Sequence, residues 1–180
     1  MAQRKPRRDA LRNRARIVAA AAAAIAQEGP STSLDKIART ASVGAGTLYR
    51  HFPTRDELLA AVFTDRIAVL CDRARMLGER HEPQEALQRW LEAMLDHAMT
   101  DNGLVEAIAL TGSKPDIDCA AMILEAASEL LERAQYAGTT RSDLTPDDLL
   151  RLVIGIGRAN DDARQALRLL HVTLDGIIVV

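Results

Sequence analysis

GAGTLYRHFPTRDELL, residues Gly44 to Leu59, sets a tyrosine, an arginine and a histidine side by side on what reads as a helix of about two turns. Pro53 ends that helix, because proline cannot extend the backbone hydrogen-bond ladder, and Thr54 with Glu57 forms a Thr-x-x-Glu cap for the next one. Leu48 and Phe52 lie four apart and hold the short helix to a core, which leaves Thr47, Tyr49, Arg50 and His51 projecting outward or sideways. A hydroxyl, a phenol, a guanidinium and an imidazole on one small surface can all bond phosphates or base edges. Gly44, Ala45 and Gly46 add little side chain and let the backbone come close to whatever is bound.

Working toward the N-terminus, the turn Ser42-Val43-Gly44 separates this helix from another of two turns. That helix starts after Ser33, or after Thr32 paired with Asp35 as a capping box, and buries Leu34, Ile37, Ala38 and Ala41. Two short helices joined by a tight turn, with Ala38, Val43 and Leu48 as internal contacts, make a helix-turn-helix. Before it, Leu11, Ala15, Val18, Ala22 and Ile25 fall on one face of a helix from about Asp9 to Gln27, which ends at Gly29-Pro30. A basic arm precedes this helix and is expected to be disordered. The RKPRR and IVAAAAAAIA segments mimic a signal peptide only superficially, since Arg12, Arg14 and Arg16 run up to the apolar stretch. No run approaches the roughly 20 apolar residues of a membrane span, so a cytoplasmic protein is expected.

Charge is unevenly distributed. Residues 1–62 carry 11 Lys/Arg against 5 Asp/Glu, and the remainder carries 12 against 20. A basic end with an acidic remainder fits nucleic acid bound at the N-terminal end and repelled elsewhere. Arg4, Arg7, Arg8, Arg12 and Arg14, clustered beside the motif, are expected to add phosphate contacts, with a solvated tail as the alternative.

Toward the C-terminus the pattern is helical throughout. Leu59, Val62, Phe63, Val69, Leu70, Met76 and Leu77 recur at helical spacing, so a helix of about 25 residues begins near Arg55 and can link two lobes. We place a boundary there, giving a DNA-binding domain at 1–54 and a helical domain at 55–180. After the ERHEP break, Leu87, Trp90, Leu91, Met94, Leu95 and Ala98 form a stripe. A short helical piece around Leu104 to Leu110 follows, then a stripe of Cys119, Met122, Ile123, Ala126, Ala127, Leu130 and Leu131. Thr145-Pro146-Asp147-Asp148 is a helix start with cap, first-turn proline and first-turn acids.

The last two helices, about Asp147 to Arg158 and Asp162 to Ile178, are apolar around too much of their circumference to pack on one side only. Leu167, Leu170, Leu174 and Ile177 form one row, and Leu169, Val172 and Val179 another. A second copy supplying the same helix pair covers both, which predicts a homodimer through about 147–178. The alternative is a monomer with these helices central. Aromatics are only 3% of a chain that is 48% hydrophobic, so the core is aliphatic and suits close helix packing. The fold class is all-α.

The run TSLDKIARTASVGAGTLYRHFPTRDELLAAV resembles the signature of the tetracycline-repressor (TetR) family of transcriptional regulators. The likeness covers roughly residues 12 to 63 and rests on Thr47 to Phe52, Pro53, Arg55 and Leu58-Leu59, behind an Ile37-Ala38 helix. It implies an N-terminal three-helix helix-turn-helix domain joined through a long fourth helix to a C-terminal helical ligand-binding and dimerisation domain. It also implies that Thr47, Tyr49 and His51 touch DNA, the latter two mainly at phosphates, with Arg50 as a further contact; Gly44 and Ala45 are read as DNA-binding residues through the close backbone approach they allow. Ser33 and Arg55, at two helix starts, would clamp phosphates through N-terminal amides and charge. The family usually has Gly where this chain has Ser42, and often a capping Ser where it has Gly44. A serine in a left-handed turn costs about 1 kcal/mol, and glycine serves as an N-cap.

The partners implied are a double-stranded operator, expected to be an inverted repeat, and a small-molecule effector that releases it. For the effector, Met76, Trp90, Met94, His97, Ile108 and Met122 are candidates for an apolar cavity with a polar handle, Trp90 and His97 sharing a face. Core packing is the alternative for each. An enzyme is the rival class through Asp96, His97 and Asp101, but no nucleophile motif, metal-ligand spacing or glycine-rich phosphate loop accompanies them. A helix-turn-helix protein that binds DNA without any ligand is a second rival. No cofactor or metal is expected. Cys71 and Cys119 have no Cys-x-x-Cys spacing and read as reduced, buried thiols.

Overall fold

The computed structural model describes residues 4–100 and 118–178. Among them are eight helices: α1 (Arg4–Glu28), α2 (Leu34–Thr40), α3 (Ala45–His51), α4 (Arg55–Arg80), α5 (Pro83–Thr100), α6 (Cys119–Tyr136), α7 (Pro146–Arg158) and α8 (Ala163–Asp175). The only strand-like pairing among the described residues is one antiparallel bridge between Thr140 and Ile178. The all-α expectation holds. None of these helices is long and apolar enough to cross a membrane. The helical piece expected around Leu104 to Leu110 lies outside the described residues.

Helix α1 starts at Arg4, so the basic segment read as an arm is helical from that residue on. Pro6 permits this because it falls in the first turn, where backbone N–H groups have no intrahelical acceptor. The helix ends at Gly29, whose φ of 81° only glycine adopts without strain.

Helix α2 ends in a Schellman motif. Ser42 N–H donates to the Arg39 carbonyl at 3.0 Å and Val43 N–H to the Ala38 carbonyl at 3.0 Å, with Ser42 at φ 51° in the left-handed position where glycine is usual. The capping box of Thr32 and Asp35 does not form. Thr32 is buried, and its hydroxyl donates to Glu28 Oε2 at 2.9 Å, so Ser33 takes the N-cap position.

The chain divides into two compact units, and the division falls inside α4, between Asp65 and Arg66, because Leu58, Leu59 and Val62 pack into the first core. That core joins Ile17, Ala21 and Ile25 of α1 to Ile37 and Ala38 of α2, Leu48 of α3, and Phe52. Helix α2 packs on both α1 and α3, and α1 also meets α3.

In the second unit α5 is central and packs on α6, α7 and α8. Its stripe Leu87, Trp90, Leu91, Met94 and Leu95 is buried against Ala127, Leu130 and Leu131 of α6, Leu149 and Val153 of α7, and Leu170 and Leu174 of α8. Helices α5 and α7 come close at Gly157, where a Cβ would stand 3.3 Å from that of Ala98. The start of α7 follows the sequence reading: Thr145 and Asp148 form a reciprocal capping box, with Pro146 in the first turn. Both cysteines are free thiols. The Cys71 thiol lies 3.5 Å from the Met122 carbonyl, and burial raises its pKa.

Candidate nucleic-acid interface

Helix α3 is short, and one side of it is anchored. Leu48 and Phe52 are buried, 1% and 2% exposed, while Tyr49 is 49% exposed. Arg50 is exposed as well, and Thr47 and His51 are half-buried. The aromatic residues thus divide as the spacing requires, Phe52 into the core and Tyr49 outward. Gly44 caps α3 through backbone alone, with no side-chain cap bond. A Cβ placed on Gly44 or Gly46 would meet nothing within 4 Å, so the start of α3 is open to an approaching surface.

Arginines from outside α3 hold this arrangement. Arg16 on α1 donates from Nη2 to the Ser42 carbonyl at 3.3 Å, and the Arg14 guanidinium carbon sits 5.2 Å from the Phe52 ring centroid. The first contact fixes the turn and the second covers the ring that anchors α3. Arg55 donates from Nη1 to the carbonyls of Pro30 and Thr32, at 2.9 and 2.7 Å.

Exposed cations surround the motif: Arg8 and Arg12 on α1, Arg39 on α2 and Arg50 on α3. Lys36 is exposed but ion-paired with Glu28, whose pKa is lowered by hydrogen bonds from Lys36 and Thr32. Neither Arg16 nor Arg39 was read in the sequence as a residue of the motif. Arg39, one residue from the end of α2 on its polar face, had a readable signal in the 3.6-residue period, whereas the contact from Arg16 to Ser42 spans 26 positions and leaves none.

The second unit contains an open cavity of about 850 Å³ between α6 and α7, floored by Met94 of α5. Ile123, Leu124, Leu150 and Ile154 make its apolar wall, with Arg151 and Arg158 among its polar residues. Of the five described residues read as an effector pocket, Met94 alone lines this cavity. Trp90 is fully buried and its indole N–H donates to the Leu70 carbonyl at 3.1 Å, which makes it a core residue. Met76 is 46% exposed on α4. Met122 is half-buried beside Cys71. His97 is half-buried, its pKa lowered by burial and by Arg66, with Asp96 opposing. Ile108 lies outside the described residues, as does Asp101. The periodicity marked the buried stripe of α5, but it does not show which buried face also borders an opening.

No cluster of His, Cys, Asp and Glu among the described residues could hold a metal ion.

Comparison with known proteins places this architecture. Residues 17–62 match the family described as bacterial regulatory proteins, tetR family, and residues 82–179 match the SbtR-like transcriptional regulator C-terminal domain. A TetR transcriptional regulator from Streptomyces coelicolor is 37% identical, with a TM-score of 0.80 over 92% of this chain and 98% of that one. A TetR regulatory protein from Mycobacterium vanbaalenii is 38% identical, with a TM-score of 0.79 over 96% and 99%. An HTH-type transcriptional regulator of Staphylococcus aureus (strain USA300) is 28% identical over 110 residues, and the match spans 60% of each protein. The chain belongs to the TetR family of transcriptional regulators.

Proposed function

We propose that this chain is a sequence-specific DNA-binding regulator acting in the cytoplasm as a homodimer, a repressor that a small molecule releases from its operator. The observation that carries the reading is the anchoring of α3 by Leu48 and Phe52 with Tyr49 and Arg50 exposed, beside a turn braced by Arg16. In this reading α3 enters the major groove. Thr47, Tyr49 and His51 touch DNA, the latter two mainly at phosphates, Arg50 reads a base edge, Ser33 clamps a phosphate at the start of α2, and Gly44 and Ala45 let the backbone come close. With so little side chain before Thr47, part of the discrimination rests on DNA shape.

Release by a ligand is supported by family membership and by the apolar cavity between α6 and α7. Half-sites on one face of DNA lie about 34 Å apart per helical turn, so a modest change in the separation of two α3 helices breaks register. Family membership favours a regulator over the helical enzyme.

Selection of sites from a random duplex library by the purified protein at near-physiological salt tests the reading, since nonspecific phosphate binding is weak there. An enriched inverted repeat is the expected outcome. Failure to enrich any sequence, with protein refolded to remove a bound ligand, overturns it. Small molecules that shift the thermal midpoint and also release the selected duplex distinguish the ligand-controlled repressor from a ligand-independent DNA-binding protein.

A further inference from the structure

We infer that Arg55 is a positioning residue: it ties the loop between α1 and α2 to the first turn of α4, and it serves DNA binding by placing α2 and α3 rather than by holding a phosphate. The inference rests on the DNA-binding reading for its consequence, but its geometry stands apart from it.

The Arg55 side chain is half-buried, and Nη1 donates to the Pro30 carbonyl at 2.9 Å and to the Thr32 carbonyl at 2.7 Å. A guanidinium Nη carries two protons, and here both are committed inward. The acceptors lie in the loop between α1 and α2. Pro30 has no backbone donor, and Gly29 leaves α1 in the left-handed region. The loop is held at its other side by the Thr32 hydroxyl on Glu28 and by Thr32 N–H on the Gly29 carbonyl at 3.3 Å.

Arg55 is the first residue of α4, and Leu58, Leu59 and Val62 lock that helix start into the same core as Ile37, Ala38 and Leu48. Its charge-assisted bonds therefore join a rigid element to the segment from which α2 departs. Helix α2 has only seven residues and shows no side-chain cap bond at Ser33, so beside the core contacts of Ile37 and Ala38 the hold on that loop helps set its direction.

Arg55→Ala in the full chain separates the two roles. Hydrogen exchange of the free protein is read over residues 30–40, with α6 as the internal reference. Binding is then measured on a random-sequence duplex and on a selected one, about 20 °C below the thermal midpoint so that the folded fraction is unchanged. The expected result is faster exchange at residues 30–36, a roughly tenfold weaker affinity for the selected duplex, and a salt dependence parallel to that of the parent. A lost phosphate contact would instead make the slope of log Kobs against log[salt] shallower by about 0.9. A slope change of that size overturns the inference, and so does unchanged exchange at residues 30–36. If the parent binds no duplex at any salt, the DNA-binding reading has failed and so has the consequence assigned to Arg55, while the exchange data still decide whether Arg55 holds the loop.

Discussion

Arg16 reaches across 26 positions of sequence to the carbonyl of Ser42, the one non-glycine residue with positive φ among the described residues. The turn of the helix-turn-helix therefore keeps its Schellman geometry with a side chain in the place that favours glycine, and a contact from α1 holds it there. The backbone strain is still present. Ser42→Gly should raise stability by about 1 kcal/mol, the cost of an L-residue in the left-handed region. For a chain of this size that is roughly 2–4 °C in the thermal midpoint. A lower midpoint would mean that the serine supplies something the strain argument omits.

Gly46 lies inside α3 with open space around it. Gly46→Ala should stabilise the free protein by about 0.5–1 kcal/mol, because glycine is the weaker helix former. If the backbone of α3 approaches DNA closely, the same methyl group meets the duplex and weakens binding. The expected result is a higher thermal midpoint with a lower affinity for the selected duplex. Unchanged affinity would place DNA against another part of α3.

Tyr49 and Arg50 are adjacent and both exposed, yet they are assigned different work. Tyr49→Ala should weaken binding to all duplexes to a similar degree, as loss of a phosphate contact does. Arg50→Ala should lose about 1–3 kcal/mol on the selected site and relax the preference at one base position. A panel of single-base variants of that site reads the difference. Equal losses on every duplex for Arg50→Ala would make it a phosphate contact too.

The first unit was more legible in sequence than the second, for a physical reason. In a helix-turn-helix the elements are short and their boundaries are set by local chemistry: Gly29, Pro53 and the Thr54 cap all act within a few residues, and Ala45–His51 was bounded correctly from them. The buried stripe of α5 was equally plain, because its period is local. What escaped were relationships between elements. The inward turn of Arg55 depends on two carbonyls more than 20 positions away, and the cavity depends on how Ile123 and Ile154 from different helices face one another. Thr32 shows the same limit at short range, since its hydroxyl turns back to Glu28 and Ser33 takes the N-cap position of α2.

His97 carries a pH prediction. Burial, with Arg66 adding to it, lowers its pKa in the folded protein below the ordinary value of about 6.5. Between the two values the unfolded chain binds the proton and the folded chain does not, so protonation favours unfolding. The contribution of His97 to stability is complete above pH 6.5 and is lost as the pH falls through the lowered value. The thermal midpoint should therefore drop from pH 7 toward pH 5, and His97→Gln should flatten part of that drop. Parallel pH profiles for the two proteins would show that other groups set the acid limit.

Helices α7 and α8 bear on the assembly. Leu152 is 40% exposed, Leu167 39%, Leu169 37% and Val172 60%, while Leu149, Val153, Leu170 and Leu174 on the same two helices are buried in the core. The pair thus has one face spent on α5 and a second apolar face turned away from it, which a second copy of the same helices would cover in a twofold four-helix contact. Val172→Asp tests this cleanly, because a residue so exposed in one chain has little part in that chain's own core, whereas a carboxylate between two chains is left buried and unpaired. The parent should sediment at twice the mass of the chain, with a thermal midpoint that rises with protein concentration, as linkage to dimerisation requires. Val172→Asp should sediment as a monomer, keep its helical circular dichroism, lose the concentration dependence and bind an inverted repeat much more weakly than the parent. A parent that sediments as a monomer, or a Val172→Asp variant that remains a dimer, would remove these helices from the interface.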